Sequence, residues 1–378
     1  MLVLFSGCAL NNPARSRTPA NFILYGNENN DELTGIVITK KNEYLAIGQT
    51  LSLQSTGCTY LIKISEFGVQ DWDIRLQSDL VNDVCEDNNG DLIVMGAKYQ
   101  GGNGLSDLQI MRISALNNSI IFSKTFKSKT GLSVTGLSGG GFAAAGYTSS
   151  FGKRDTNGFI LIVGEQGDSV CDTTFFSEKY LRTVFTSVDT IDGSGFIFGG
   201  RADYINKSSD ALLVKIDTAG GIQWSETYDG SGGNDMSFYA ETTSDGGFIM
   251  VGETWSSGDQ DIYLVKTDSS GNKLWSREFG GSGNEAGNHL SRTADGGFII
   301  CGWTTSLGAG EEDVYLIKTD NSGNTQWQKT YGGSGTDMGY SVVIRPSGGY
   351  AVVGKTVPDG RSDTDGFLLL IDENGDGI

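Results

Sequence analysis

The 378-residue sequence predicts an all-β protein built from seven like units, on three observations. The first is composition. Fifty-six glycines against four prolines make a heavy turn load. Aromatic and β-branched residues are plentiful, and no long stretch carries the 3.6-residue apolar period of an amphipathic helix. The second is a repeat. A glycine closes an apolar run at Gly48, Gly96, Gly146, Gly200, Gly252, Gly302 and Gly354. Asp245-Gly246-Gly247-Phe248-Ile249-Met250-Val251-Gly252 shows the run, and Asp295-Gly296-Gly297-Phe298-Ile299-Ile300-Cys301-Gly302 repeats it. A period of about fifty residues marks a propeller blade or a solenoid turn, and strand-only content selects the propeller. The third is circular bookkeeping. The seventh unit stops at Ile378, before its fourth strand, and Asn21 to Gly26 precede the first unit. Counting back from Gly48 sets Tyr25-Gly26 on Tyr331-Gly332 of the sixth unit. The N-terminal segment is therefore expected to be the missing outer strand of the last blade, pairing with Phe367 to Ile371 and leaving no open edge.

The sixth unit shows each element in turn. His289 to Thr293 is expected as the first strand, Phe298 to Thr304 as the second, Asp313 to Thr319 as the third and Thr325 to Tyr331 as the fourth. Asp295-Gly296-Gly297 and Asp320-Asn321-Ser322-Gly323-Asn324 are tight turns, where Gly and Asn accept positive φ. The second strand is apolar without alternation, as a strand covered on both faces must be. One slot on the fourth strand carries Trp72, Trp224, Trp275 and Trp327, with Ile121, Cys171 and Asn21 in the remaining units. A large aromatic in that slot is expected to lock neighbouring blades together.

Charge and the N-terminus narrow the setting. A net charge of −19 argues against nucleic acid as a partner, because phosphates would be repelled. No apolar run reaches the length of a membrane span. Leu2-Val3-Leu4-Phe5 leads into Ser6-Gly7-Cys8, which resembles the lipobox of bacterial lipoproteins. That resemblance implies acylation of Cys8 and a lipid anchor in the bacterial cell envelope as the only tie to a membrane. It departs from the family at Phe5 and in lacking a basic leader. On this reading residues 1–8 are a signal remnant, 9–20 a flexible tether and 21–378 the propeller. The chain is expected to be a monomer. Cys58, Cys85, Cys171 and Cys301 show no CxxC spacing, so zinc and redox motifs are absent. A Cys58–Cys85 disulfide stays open, and Cys301 reads as a small buried hydrophobe.

At Val265-Lys266-Thr267-Asp268-Ser269-Ser270-Gly271-Asn272-Lys273-Leu274-Trp275 the chain resembles the strand, turn and docking tryptophan of quinoprotein-dehydrogenase-like (PQQ-like) propellers. With its DGGF and GxT signatures it also resembles a group of bacterial and archaeal cell-surface propellers, over about residues 21–378. The quinone enzymes' vicinal cysteines are missing, so no quinone, and no other cofactor, is expected.

Three motifs carry possible chemistry. Gly332-Gly333-Ser334-Gly335-Thr336-Asp337 matches the calcium nonapeptide, and Gly280 to Glu285 nearly does. The calcium roll needs that motif every nine residues, so a loop between blades is expected instead. Asp372 to Gly377 matches the first half of an EF-hand loop but lacks its bidentate glutamate, and reads as a turn. The single histidine, His289, stands in a row with Gly35, Asp83, Ser133, Ser187, Tyr239 and Ser341, near the mouth of the central channel. No motif fixes a partner for it, so no catalytic or metal-ligating residue is assigned.

The row directly after each closing glycine is Gln49, Ala97, Tyr147, Arg201, Glu253, Trp303 and Lys355. It varies in charge, size and aromaticity where neighbouring positions do not. The expected ligand-binding residues are Tyr147, Arg201, Glu253, Trp303 and Lys355, supported by Tyr204, Trp255 and His289. Such side chains suit a glycan or a protein or peptide ligand. The expected function is a non-enzymatic binding or scaffolding module. The alternatives are a channel-mouth enzyme, such as a polysaccharide lyase or glycosidase using Asp83, Tyr239 and His289, and a purely structural spacer.

Overall fold

The structure, a computed structural model, describes residues 22–26, 30–50, 58–76, 80–99, 106–148, 156–230, 232–256 and 258–378. Cys8, the tether and Asn21 lie outside the described residues, as does the side chain of Cys58. Among the described residues are 28 strands in seven four-stranded antiparallel sheets, a seven-bladed β-propeller without helices. Blade 1 runs from Asp31 to Leu76, blade 2 from Leu80 to Phe126, blade 3 from Lys129 to Thr174 and blade 4 from Arg182 to Tyr228. Blade 5 runs from Asp235 to Phe279, blade 6 from Glu285 to Tyr331 and blade 7 from Asp337 to Ile371. The chain divides into two compact units. Asn82–Phe279 holds blades 2 to 5, and Met1–Val81 with Gly280–Ile378 holds blades 1, 6 and 7.

In the unit of blades 1, 6 and 7, the N-terminal strand completes blade 7. Phe22–Tyr25 lies antiparallel to the third strand, with Phe22 opposite Leu369 and Tyr25 opposite Gly366. Phe22 stacks on Phe367 with ring centroids 4.2 Å apart. Tyr25 also stands where Tyr331 stands in blade 6. Tyr25 donates its hydroxyl to Gly68 O of blade 1 at 2.8 Å, and Tyr331 donates to Gly375 O of blade 7 at 2.5 Å.

Three of blade 6's four strands have the expected limits: Phe298–Thr304, Asp313–Thr319 and Thr325–Tyr331. The first is longer, Glu285–Arg292, and starts four residues before His289. A bulge separates the pairs Gly287–Gly302 and His289–Cys301. The extra residue, Asn288, breaks the period-2 alternation, so the segment before it runs out of phase with the segment after it. The same bulge recurs before Gly35, Ser133, Ser187, Tyr239 and Ser341. The His289 row is thus the first residue after a bulge, within a strand and not at its start.

The second and third strands are buried almost throughout, as their unbroken apolar runs require. The turns behave as their residues dictate. Gly296 and Gly323 have φ of +84° and +75°. Asp320 Oδ1 accepts from the N–H groups of Ser322 and Asn324, both at 2.8 Å. Asp372 closes its own turn the same way, accepting from Asn374 and Asp376. In the GGSGTD segment Asp337 opens the first strand of blade 7 and accepts from Gly333 N–H, as a blade-to-blade loop should.

The tryptophan slot docks blade on blade. Trp224 lies against Gly271 and donates its indole N–H to Ser269 O. Trp327 lies against Gly375 and donates to Glu373 O at 3.1 Å. Cys171 takes the slot in blade 3, against Gly220. In blade 2 the slot belongs to Phe122, not Ile121. Phe122 pairs with Arg112 as Trp224 pairs with Lys215, while Ile121 is 50% exposed. The one-residue error follows from the strand's alternation, which turns adjacent residues to opposite faces. The four tryptophans are half-buried, less enclosed than a core aromatic. Cys301 is fully buried as expected, and Cys85 is a free thiol.

Candidate functional site

Register fixes the row after each closing glycine at one level of the second strands. Tyr147 pairs with Thr130, Arg201 with Val184, Glu253 with Met236, Trp303 with Ala286 and Lys355 with Met338. All five side chains are half-buried. They stand next to the loops joining second to third strands, on the blade edge that also carries the blade-to-blade loops.

Blades 4 and 5 bring Arg201, Glu253 and Trp255 into one neighbourhood, with Tyr204 in the loop of blade 4 that follows Arg201. Arg201 Nε pairs with Asp203 at 2.9 Å, and its guanidinium reaches Met236 Sδ of blade 5 at 3.9 Å. Burial raises the Glu253 carboxyl above its ordinary range, and the Gln260 amide, the Arg201 charge and the Trp255 side chain draw it back. Trp255 is 43% exposed and is held by its own N–H on Asn234 O. Tyr204 meets Thr227 through its hydroxyl at 3.1 Å and Tyr180 edge-on at 5.5 Å. Lys207 lies over the Tyr204 ring at 5.2 Å. Two exposed apolar residues lie in the loops that carry Tyr180 and Tyr204, Phe176 at 73% and Ile205 at 76%. Sequence reasoning missed Phe176, Tyr180 and Lys207 because all three lie in loops outside the repeat register.

His289 and its row serve a different purpose. Asp83 Oδ2 accepts the Val134 N–H of the next blade at 2.8 Å, and Oδ1 accepts Val84 N–H. Ser133 accepts from Val188, and Ser187 from Ala240. His289 reaches the equivalent residue of the next blade in the opposite sense, its imidazole donating to the Val342 backbone carbonyl, and burial lowers that imidazole to about 4. Asp83, Ser133, Ser187 and His289 therefore tie first strands together across blades. Burial also raises Asp83 to about 6, but both of its oxygens are already engaged.

Two further features lie outside the expected set. Between blades 6 and 7, at the opposite blade edge, is a cleft of about 540 Å³ lined by Trp327, Tyr350, Gln326, Glu373, Asp295 and Lys318. The Lys318 ammonium is consumed there by Asp295, Thr319 O and Gln326. Between blades 4 and 5, the carboxylates of Asp210, Asp229 and Asp235 converge, each offering an oxygen within 4.8 Å of the others. Among the described residues this is the group with metal-ligating character. The signal available in the sequence was an acidic residue opening a third strand and another opening the next first strand.

Solved structures share this architecture. The WD40 propeller domain of Doa1 superposes with a TM-score of 0.55 at 12% identity, over 93% of this chain and 96% of that one. The fold is a β-propeller. The extracellular domain of BT4673 from B. thetaiotaomicron gives a TM-score of 0.55 at 12% identity, over 96% of this chain and 44% of that one. Puromycin hydrolase gives 0.59 at 13% identity, over 97% of this chain and 53% of that one. At such identities the likeness extends to the fold alone. No family model matches the chain, and no curated protein matches it.

Proposed function

We propose that this chain is a non-enzymatic propeller lipoprotein of the bacterial cell envelope that binds a glycan or protein ligand. In this reading residues 1–8 are a signal remnant ending in lipidated Cys8, 9–20 a tether and 21–378 the binding domain. One observation carries it. Ile205 and Trp255 are exposed large apolar side chains, Ile205 next to Tyr204 in the chain and Trp255 against Glu253, which also feels the Arg201 charge. Exposed aromatics among fixed polar groups suit a ligand with an apolar face and a polar rim. Strands and inter-blade hydrogen bonds hold the surrounding scaffold, so little ordering accompanies binding. Tyr147, Trp303, Lys355 and His289 complete the proposed set, with His289 acting by holding its strand.

The test is a glycan and peptide array on the purified chain, followed by titration of the best hit. Trp255→Ala and Arg201→Ala should each weaken binding about tenfold or more, while Ile121→Ala, on a different strand, should leave it unchanged. A ligand whose affinity both substitutions leave intact would place the site elsewhere. Turnover of any array glycan would replace the binding module with the enzyme.

A further inference from the structure

The hairpin that carries Trp255 is longer than its counterpart in blade 6. Its strands, Phe248–Ser256 and Asp259–Thr267, have nine residues each, against seven in Phe298–Thr304 and Asp313–Thr319. Pairing is unbroken from Phe248 opposite Thr267 to Ser256 opposite Asp259, so Glu253 and Trp255, two residues apart, lie on one face. Trp255 is 43% exposed, and its backbone is fixed by Asn234 O. Glu253 accepts from the Gln260 amide, has the Trp255 side chain against it and feels the Arg201 charge. Arg201 uses its Nε on Asp203 at 2.9 Å, and its Nη1 meets only the Met236 sulfur at 3.9 Å, a weak acceptor. Among the described residues, the two terminal nitrogens of Arg201 have no oxygen acceptor. One exposed ring, one fixed carboxylate and one guanidinium edge with donors to offer therefore stand together on paired strands.

Resting on the reading of this face as a binding site, we propose that its ligand is a neutral glycan, whose sugar ring stacks on Trp255 while its hydroxyls donate to Glu253 and accept from Arg201. The two charges exclude the alternatives from opposite sides. A carboxylate, sulfate or phosphate placed on Arg201 would also face Asp203 and Glu253, and a chain of net charge −19 repels it at long range. An ammonium placed on Glu253 would face the Arg201 guanidinium. A hydroxyl donates and accepts, so adjacent hydroxyls of one sugar satisfy a carboxylate and a guanidinium together and bring no charge. The C–H face of the same ring is apolar and covers the indole. An extended peptide, in contrast, is held by pockets for alternate side chains, whereas this face offers a single exposed ring.

The test is calorimetric titration of the whole chain with cellohexaose, mannohexaose and xylohexaose as neutral probes, oligogalacturonate and oligoalginate as acidic ones, and a panel of extended peptides. A neutral probe should bind with an affinity that stays constant between about 50 and about 500 mM sodium chloride, because no ion pair forms with it. Glu253→Gln keeps the side chain's shape and can still accept from Gln260. It should weaken the neutral ligand about tenfold, since a carboxylate accepts a hydroxyl more strongly than an amide does. The same substitution removes a repelling charge and should strengthen an acidic ligand, so the sign of its effect separates the two classes. Trp255→Ala should weaken the neutral ligand about tenfold or more. The salt series uses the parent chain and decides the question even if Glu253→Gln does not fold. An acidic glycan or a peptide that binds in place of the neutral probes, and is weakened by Trp255→Ala, overturns the neutral-glycan assignment and leaves the binding site standing. So does an affinity that falls with salt or rises in Glu253→Gln. A neutral ligand indifferent to both substitutions, or a chain that binds no probe, overturns the site as well.

Discussion

Asp337 is a carboxylate that its surroundings hold at a cost. It faces Asp313 across Gly332, both are almost fully buried, and Asp359 adds a third charge from the loop of blade 7. The corresponding pairs have cationic help: Asp210 meets Lys207, and Asp365 meets Arg361. Asp313 instead receives the backbone N–H groups of Ala309 and Gly310, and Asp337 that of Gly333. Burial first, and then the neighbouring charges, raise the Asp337 carboxyl from 3.8 to about 6. A carboxyl raised in the folded state binds its proton more tightly there than in the unfolded chain. Its contribution to stability is therefore complete below about pH 4 and is lost as pH climbs through about 6. A shift of this size corresponds to at most about 3 kcal/mol. Asp337→Asn mimics the protonated form and can donate its amide to Asp313. By urea unfolding it should be about 1–3 kcal/mol more stable than the parent at pH 7.5, and that gain should fade towards pH 4. An equal difference at both pH values would mean that Asp337 titrates normally.

At the scale of the strand, the docking slot separates two adjacent residues. Phe122 is half-buried in the row occupied by Trp224 and Trp327, and Ile121 points to solvent. Phe122→Ala should cost about 2–3 kcal/mol in thermal or urea unfolding, below a full core truncation because the ring is only half enclosed. Ile121→Ala should stay within about 0.5 kcal/mol. Equal costs would return the slot to Ile121. Trp327→Ala removes both the ring against Gly375 and a hydrogen bond, and should cost about 2–4 kcal/mol. This contrast also marks what the sequence makes legible. Blade count, closing glycines, turns and three of blade 6's strands follow from composition and period, which are local signals. The bulge at Asn288 inverts the strand's phase, and Gly287 beside it reads as a turn residue, so the start at Glu285 was hidden. The row from Tyr147 to Lys355 could be placed by counting. The aromatic loop residues could not, because they lie outside the repeat register and their meeting depends on how consecutive blades align.

At the scale of the molecule, blade 7 draws its strands from both ends of the chain, and its fourth strand is the N-terminal segment. Tyr25 is fully buried and Phe22 nearly so, although the strand is four residues long. Without it, the third strand of blade 7 would present Gly366 to Leu369 as an unpaired apolar edge, a template for pairing with another chain. The hydroxyl tie from Tyr25 to blade 1 would be lost as well. Deleting residues 1–18 removes none of these contacts, so thermal melting and light scattering should match the parent. Deleting residues 1–26 removes all of them, and should lower the melting temperature by many degrees and promote aggregation. The effect should be reversible. A synthetic peptide spanning residues 19–27, added to the shorter chain, should restore the melting temperature by adding itself as the missing strand. A peptide with Tyr25→Ala and Phe22→Ala should not. A chain without residues 1–26 that melts like the parent would mean that blade 7 is stable on three strands.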